Sequence, residues 1–284
     1  MLTRKPKART WTPYVLAFIL ILAALALGAS LLKSARGKVL EAPQTAKPQA
    51  PKPQTQNLTD VSTFRMAYIK ANGGEHKLAA LNSIQTRGTF ESGGNTVPFR
   101  TIKRRPDKSI TTLQMPDYEL SFVVNGRSVW QRVEQRGLEP VDTMKEGQEA
   151  DAMRELGHFF DPFMHVVLSE PKSILSMEAT TWEGEPALSL EFKSDSRNMH
   201  ATVILNPRTL NPILRKEEFA DGRTREVFYS DYRSIDGGIR EPFQVETYMD
   251  AELQSRLIVE SCTINVGAPG FLFEFKEPES ESGI

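Results

Sequence analysis

Short runs of strand-forming residues, separated by turn signals, occupy most of this chain after residue 83. The early runs are separated by GGN at 93–95, RPD at 105–107, MPD at 115–117 and NGR at 125–127. Gly, Pro, Asn and Asp in connections this short are typical of hairpins between antiparallel neighbours. Five runs precede residue 140 and six follow residue 186. The pattern therefore predicts a mainly β (α+β) fold with one strongly curved antiparallel sheet of about eleven strands.

Helical spacing of apolar residues occurs in two places outside these runs. In LTDVSTFRMAYIKANGG, residues Val61, Phe64 and Tyr68 recur at helical spacing and Gly73-Gly74 provides a stop, before a short second helix, EHKLAALN. The second place is EGQEADAMRELGHFFDPFMHVVLSEP, whose helical pattern is broken near Pro162. This insertion divides the strands into two sets.

The N-terminal residues predict a membrane anchor. MLTRKPKARTW carries four basic residues and no acid, and Tyr14–Leu32 follow as 19 residues without a charge. A helix of that length spans ~28 Å, close to the ~30 Å hydrocarbon thickness, and its basic flank should stay in the cytoplasm. The alternative is a cleaved signal peptide, since Ala24-Leu25-Ala26 and Ala26-Leu27-Gly28 resemble cleavage sites. The apolar region of a signal peptide is usually ~7–15 residues, so we favour the uncleaved anchor on span length.

The chain is predicted to divide into five parts. Glu41–Asn57 holds four prolines and almost no apolar side chains, which is typical of a semi-extended linker. The parts are a cytoplasmic tail (1–12), a transmembrane anchor (13–33), a Pro-rich linker (34–57), one folded domain (58–277) and a flexible C-terminal tail (278–284).

Composition and charge argue against several classes of function. Thirty-five Lys plus Arg against 36 Asp plus Glu leave a net charge of -1, so no overall field attracts nucleic acid. Cys262 is the single cysteine, and the sequence contains no Cys/His cluster, nucleophile elbow, P-loop or dinucleotide fingerprint. His158 and His165 lack a carboxylate at metal-ligand spacing from both. We expect no nucleic acid partner, no metal, no cofactor and no catalytic residue.

Alternation along the strands predicts an apolar concave face without charges. A curled antiparallel sheet must either fill its interior with side chains or leave a cavity. The predicted residues of the cavity and of the helix that covers it are Leu120, Phe122, Val124, Leu156, Phe159, Phe160, Phe163, Met164, Val167, Leu188, Leu190, Phe192, Val203, Leu205, Val227, Tyr229, Phe243 and Val245. Two interpretations of the aromatic helix remain open: it completes an ordinary core, or it forms a lid over a cavity.

Three segments, AYIKANGGEHKLAALNSIQTRGTF, VILNPRTLNPILRKEEF and SDYRSIDGGIREPFQVETY, carry a resemblance to a known family. They resemble the opening helices and first strand, an Asn-Pro strand turn and a late hairpin of the LolA/LolB-like family of periplasmic outer-membrane lipoprotein-sorting proteins (lipoprotein carriers). The similar segments cover about 200 residues. The resemblance implies an unclosed antiparallel β-barrel of about eleven strands with helices covering its mouth. It also implies that lipid, or the acyl chains of lipoproteins, bind in an apolar cavity in a Gram-negative periplasm.

The chain departs from that family in two respects. The family's carriers are released by signal cleavage and its receptors are attached through an acylated cysteine, whereas this chain is predicted to keep its anchor. The resemblance also does not single out a lid-locking arginine, because Arg87, Arg100, Arg104 and Arg105 all fall in early strands.

We expect a single-pass protein of the bacterial inner membrane with its C-terminal domain in the periplasm. It would hold a lipid or acylated lipoprotein in an apolar half-barrel for trafficking, and would not be an enzyme. The alternative is an envelope-stress or signalling sensor that acts through a protein partner.

Residues 230–248, SDYRSIDGGIREPFQVETY, are interpreted as a hairpin that turns at Asp236-Gly237-Gly238. Phe243 and Val245 are expected to point inward, and the polar residues outward. In the last strand Cys262 shares its parity with Ile258, which predicts a buried and inert thiol.

Overall fold

The computed structural model of the chain describes residues 60–194, 199–219, 221–236 and 238–276. The predicted cytoplasmic tail, anchor, linker and C-terminal tail all lie outside the described residues. Within the described ranges, no helix is long and apolar enough to cross a membrane. The predicted boundaries of the tail, anchor and linker therefore remain predictions.

Four α-helices lie on one side of the sheet: α1 (Val61–Ala71), α2 (Glu75–Ala80), α3 (Gly147–Gly157) and α4 (Pro162–Ser169). Helix α1 begins where the Asp60 carboxylate accepts a hydrogen bond from the Thr63 backbone nitrogen at 3.0 Å. It ends before Gly73 and Gly74, whose positive φ angles of 94° and 89° favour glycine. The predicted break at Pro162 is confirmed, because Pro162 occupies the first turn of α4.

The described residues contain thirteen strands, so the prediction of about eleven was too low. They are β1 (Ser83–Ser92), β2 (Asn95–Arg104), β3 (Lys108–Gln114), β4 (Tyr118–Asn125), β5 (Ser128–Gln135), β6 (Val141–Met144), β7 (Ile174–Trp182), β8 (Glu185–Ser194), β9 (Met199–Leu205), β10 (Pro212–Glu218), β11 (Thr224–Ile235), β12 (Ile239–Met249) and β13 (Glu252–Ile264). The two strands that the sequence analysis missed are β6 and β7. They form the two free edges of the sheet, where a strand has one neighbour and little of the alternation that identifies inner strands.

The thirteen strands form one unclosed antiparallel sheet in the order β6-β5-β4-β3-β2-β1-β13-β12-β11-β10-β9-β8-β7. Strands β1 and β13 pair in the middle of this order, with Ile84 opposite Ile264. The chain passes from one free edge to the other through α3 and α4, between β6 and β7. The helical insertion therefore connects the two edges, which places its helices across the mouth of the half-barrel.

A β-bulge where β1 meets β13 changes which side chains of β13 face inward. Gly88 pairs with Val259 and Arg87 with Ser261, so one residue of β13 is left over. A Cβ atom on Gly88 would lie 2.0 Å from the Ile258 carbonyl oxygen, so only glycine fits there. Beyond the bulge Cys262 packs against the core together with Ile264, which agrees with the predicted parity. Ile258 lies before the bulge and is 37% exposed, so the parity predicted for it was wrong. Burial raises the pKa of the Cys262 thiol to about 12, which is consistent with an inert thiol.

Apolar side chains fill much of the concave side. One group lies beneath α1 and α4 and is called the α4 cluster; its least exposed members are Phe64, Phe163, Val166, Val167, Leu190, Phe192, Val203 and Leu205. Each of these side chains is at most 1% exposed. Along β8 and β9 the aromatic helix therefore completes an ordinary core. For that part of the sheet, the first of the two open interpretations is the correct one.

The convex side of β2 to β5 carries a second apolar surface. Ile102, Ile110, Val123 and Trp130 are buried there against Phe273, which is 0% exposed. The C-terminal segment 266–276 covers this surface, and Asn125 Nδ2 donates a 2.9 Å hydrogen bond to the Phe273 carbonyl. The chain end is thus part of the packed structure up to residue 276.

Candidate functional site

A cavity of about 170 Å³ lies beneath the connection between α3 and α4. Its wall is formed by Tyr68 and Asn72 of α1, Ile84 and Thr86 of β1, Lys103 of β2, Phe159, Phe160, Asp161 and Met164 of the α3–α4 region, Asn211 and Pro212, Tyr229 and Tyr232 of β11, and Arg240, Glu241 and Pro242 of β12. Ten of these sixteen side chains carry polar groups, while apolar atoms form more of the exposed wall, so the cavity is mixed in character rather than wholly apolar as the sequence predicts.

Basic residues at the end of β2 hold the covering connection in place. The Arg105 guanidinium lies over the rings of Phe159 and Phe160, at 5.0 and 5.1 Å from their centroids. The same guanidinium donates a hydrogen bond to the Leu78 carbonyl at 2.9 Å. Lys103 Nζ donates to the His158 carbonyl at 2.7 Å. The connection is therefore attached to β2 and to the end of α2.

Helix α4 is fixed at both ends. Asp161 Oδ1 accepts hydrogen bonds from the backbone nitrogens of Phe163 and Met164 at 2.9 and 3.1 Å, which satisfies free N–H groups of the first turn. At the other end, Arg65 donates to the carbonyls of Val167 and Leu168 at 3.0 and 3.3 Å. A cation at a helix C-terminus also opposes the helix dipole. Movement of α4 away from α1 requires the bonds from Arg65 to break, whereas the cap at Asp161 moves with the helix.

Two carboxyl groups and three phenols meet at the cavity. Burial, together with the nearby negative charge of Asp161, raises the pKa of Glu241 to about 7, although Lys103 opposes the rise. Burial also raises the pKa values of Tyr68, Tyr229 and Tyr232, each with a further contribution from Asp161. Glu241 is therefore a carboxyl group that changes charge near neutral pH.

A buried ion network lies further along the concave face, so the predicted absence of charges there was wrong. Arg215 of β10 lies between Val203 and Val227, and Glu217 lies between Ala201 and Arg225. The two residues are 7% and 3% exposed. Arg225 donates through Nε to Glu217 Oε2 at 2.9 Å and through Nη2 to Glu155 of α3 at 2.7 Å. The network ties α3 to the sheet.

The predicted site residues fall into several places. Phe159, Phe160, Met164 and Tyr229 line the cavity. Phe163, Met164, Val167, Leu188, Leu190, Phe192, Val203 and Leu205 pack together in the α4 cluster, and Leu120, Phe122, Phe159 and Phe243 belong to a neighbouring cluster with α2 and β1. Val124 packs with Met153 of α3, Val227 is buried and Val245 is half-buried. Leu156 is 57% exposed and does not join the others, because it lies on the solvent side of α3.

The sequence analysis missed the polar half of the cavity. It placed the polar residues of 230–248 outward, yet Tyr232 and Glu241 both line the cavity. Glu241 could have been found, because it shares strand parity with Phe243 and Val245. Tyr232 could not, because Asp231 adopts a positive φ of 51° and breaks the alternation after Tyr229. Nothing in the sequence near Asp161 indicates its contact with β11 and β12.

The described part of the chain contains no group of side chains that could act together as metal ligands. Among those residues, no three His, Cys, Asp or Glu side chains come together as a metal site would require. His165 instead lies 3.4 Å from Glu170.

These features define a class of protein: a helix-covered, unclosed antiparallel half-barrel with a small cavity under its lid. No family model matches the sequence, and no curated protein matches it. Solved structures do match. A DUF1329 family protein from Desulfovibrio piger is 13% identical, with 75% of this chain and 97% of that chain covered and a TM-score of 0.51. A LolA superfamily protein from Nitrosomonas europaea is 12% identical, with the same coverages and a TM-score of 0.48. At such identities the likeness is one of fold, and at that level the resemblance seen in the sequence is confirmed.

Proposed function

We propose that this chain is a membrane-anchored binding protein of the bacterial envelope that holds an amphiphile, either a lipid or the acyl chain of a lipoprotein. The observation that carries the proposal is the cavity beneath the α3–α4 connection, which adjoins the α4 cluster. A head group would occupy the polar part of the cavity, and an acyl chain would lie against the apolar side chains of β8 and β9. Amphiphile binding requires both kinds of surface side by side.

The size of the cavity indicates that binding involves movement of α4. Its volume of about 170 Å³ is below the ~300–1,000 Å³ of common ligand pockets. Helix α4 has eight residues and is held mainly by the bonds from Arg65 and its own apolar contacts. Displacement of Phe163 and Val167 from the sheet would open an apolar wall continuous with the cavity.

The proposed location is the inner membrane, with the described domain in the periplasm. Support comes from the uncharged Tyr14–Leu32, the basic residues before it and the proline-rich stretch after it. We propose binding rather than catalysis, because a cavity beside an apolar cluster suits an amphiphile.

One observation favours a second candidate, a sensor that acts through a protein partner. The free edge strand β7, ILSMEATTW, contains no Lys, Arg or Pro, and its residues Glu178 to Thr181 are exposed. Such an edge is open to pairing with a strand from another protein. This candidate predicts a partner peptide on β7 and no amphiphile in the cavity.

The proposal is tested by filling the cavity. Met164→Trp places a larger side chain in the wall, and Met66→Trp, at a position that is 63% exposed on α1, serves as the matched control. We expect the full chain in a maltoside micelle to bind a dansyl-labelled undecanoic acid. Met164→Trp should weaken this binding at least about tenfold, while Met66→Trp leaves it unchanged. Circular dichroism checks that both variants fold. Absence of binding to the unsubstituted chain would overturn the proposal and favour the sensor.

A further inference from the structure

Five oxygen-bearing side chains converge on the cavity from four parts of the chain. They are Tyr68 of α1, Asp161 before α4, Tyr229 and Tyr232 of β11, and Glu241 of β12. Each of the three phenols lies within electrostatic range of Asp161. Such a group of donors and acceptors is larger than the binding of an acyl chain requires.

The polar groups of this set border the cavity. Tyr68 is 2% exposed, Tyr229 and Tyr232 are half-buried, and all three line the cavity. The Oδ1 atom of Asp161 caps α4, which leaves Oδ2 for another partner. A polar group that enters the cavity therefore meets several hydrogen-bonding side chains.

The charges of the cavity wall are balanced. Asp161 and Glu241 are acidic, and Lys103 and Arg240 are basic. A ligand with one net charge would be repelled by one pair of these side chains. A zwitterionic ligand can place its positive group beside the acidic side chains and its negative group beside the basic ones, so the wall favours a zwitterion.

The acidic and aromatic side of the wall suits an ammonium group. A primary ammonium has three N–H donors, which match the oxygens of Glu241, Asp161 and Tyr232. The basic side chains suit the phosphate of the same ligand.

We propose that the cavity binds a zwitterionic amine–phosphate head group, with the chemistry of phosphoethanolamine carried by a lipid. This inference rests on the proposed function and specifies the ligand of that same site. Glu241 and Tyr232 recognise the ammonium group, and Lys103 and Arg240 recognise the phosphate. The chain then distinguishes among amphiphiles by head group as well as by acyl chain.

The test compares four probes by isothermal titration calorimetry with the full chain in maltoside micelles. The probes are dihexanoyl phosphatidylethanolamine, dihexanoyl phosphatidylglycerol, dihexanoylglycerol and free O-phosphoethanolamine. We expect phosphatidylethanolamine to bind at least about tenfold more tightly than the other two lipids. Glu241→Gln should reduce that preference to about threefold or less, and Tyr232→Phe should reduce it severalfold. Glu260→Gln, on the exposed side of β13, should leave it unchanged.

The outcomes separate the inference from the proposed function. If the three lipids bind equally, the inference is overturned and the proposed function stands. A further outcome is that O-phosphoethanolamine binds as tightly as the lipid and that this binding depends on Glu241. This result supports the head-group site. It also shows that the acyl chain contributes nothing to binding, which overturns the proposed function. Binding of no probe overturns both. An equal loss of preference in Glu260→Gln overturns the inference, because the effect would then not come from the cavity.

Discussion

At the scale of single residues, Glu241 is the side chain whose environment departs furthest from what its sequence position indicates. It lies in a strand of ordinary composition, yet its carboxyl group faces a cavity with Asp161, Lys103, Arg240 and the phenols of Tyr68, Tyr229 and Tyr232 around it. Burial and the negative charge of Asp161 raise its pKa from 4.5 to about 7. The native state therefore holds this proton more tightly than the unfolded chain does.

This pKa shift predicts how stability depends on pH. Since the native state binds the extra proton between pH 4.5 and about 7, the free energy of unfolding should fall as pH rises through that window. In Glu241→Gln the neutral side chain removes this loss. The free energy of unfolding of the variant, relative to that of the unsubstituted chain, should therefore rise by about 3 kcal/mol between pH 4.5 and pH 8. Urea unfolding at both pH values measures the change. A pH-independent difference between the two proteins, or the same change in Glu260→Gln, would contradict the assignment.

At the scale of elements, the C-terminal segment 266–276 was predicted to belong to the folded domain, but the sequence analysis did not predict which surface it covers. It covers the convex side of β2 to β5, where Phe273 fills an apolar surface that includes Trp130. Arg132 pairs with Asp142 at 2.7 Å and also donates to the Glu274 carbonyl at 2.6 Å. The segment is therefore attached by apolar contacts and by hydrogen bonds from the sheet.

A pair of phenylalanines in one short turn tests this attachment. Phe273→Ala should lower the free energy of unfolding by about 3–5 kcal/mol, because it leaves a cavity beside Trp130. Phe271 lies in the same turn but is 65% exposed, so Phe271→Ala should change stability by about 0.5 kcal/mol or less. Chemical unfolding followed by Trp fluorescence compares them. Equal effects of the two substitutions would mean that the segment does not pack as described.

The edge strands illustrate which elements sequence patterns can identify. Inner strands such as β8 and β9 have two neighbours, and their apolar positions alternate because one face is buried. Strand β6 has four residues, and β7 is exposed along most of its length, so neither shows that alternation. Their positions follow from hydrogen bonds to β5 and β8, which no local pattern encodes.

At the scale of the whole molecule, the proposed function depends on where the chain resides. We expect the full chain to stay in the membrane fraction after alkaline carbonate extraction, and a variant without residues 1–57 to be released, because Tyr14–Leu32 is the longest uncharged apolar run. N-terminal sequencing of the protein from cells distinguishes anchor from signal peptide. A mature protein that begins shortly after residue 26 or 28 would contradict the anchor and support cleavage.

The sequence by itself determined the antiparallel hairpins, the two helical regions and the apolar parity of the inner strands. These depend on local properties: turn residues, spacing and side-chain alternation. The tertiary structure alone decided that the cavity is mixed in character and small. Tyr68, Asp161 and Glu241 lie far apart in the chain and meet only because α3 and α4 connect the two free edges across the sheet. A bulge at Gly88 and the positive φ of Asp231 further change which residues face inward, and such changes in register come from strand pairing rather than from local sequence.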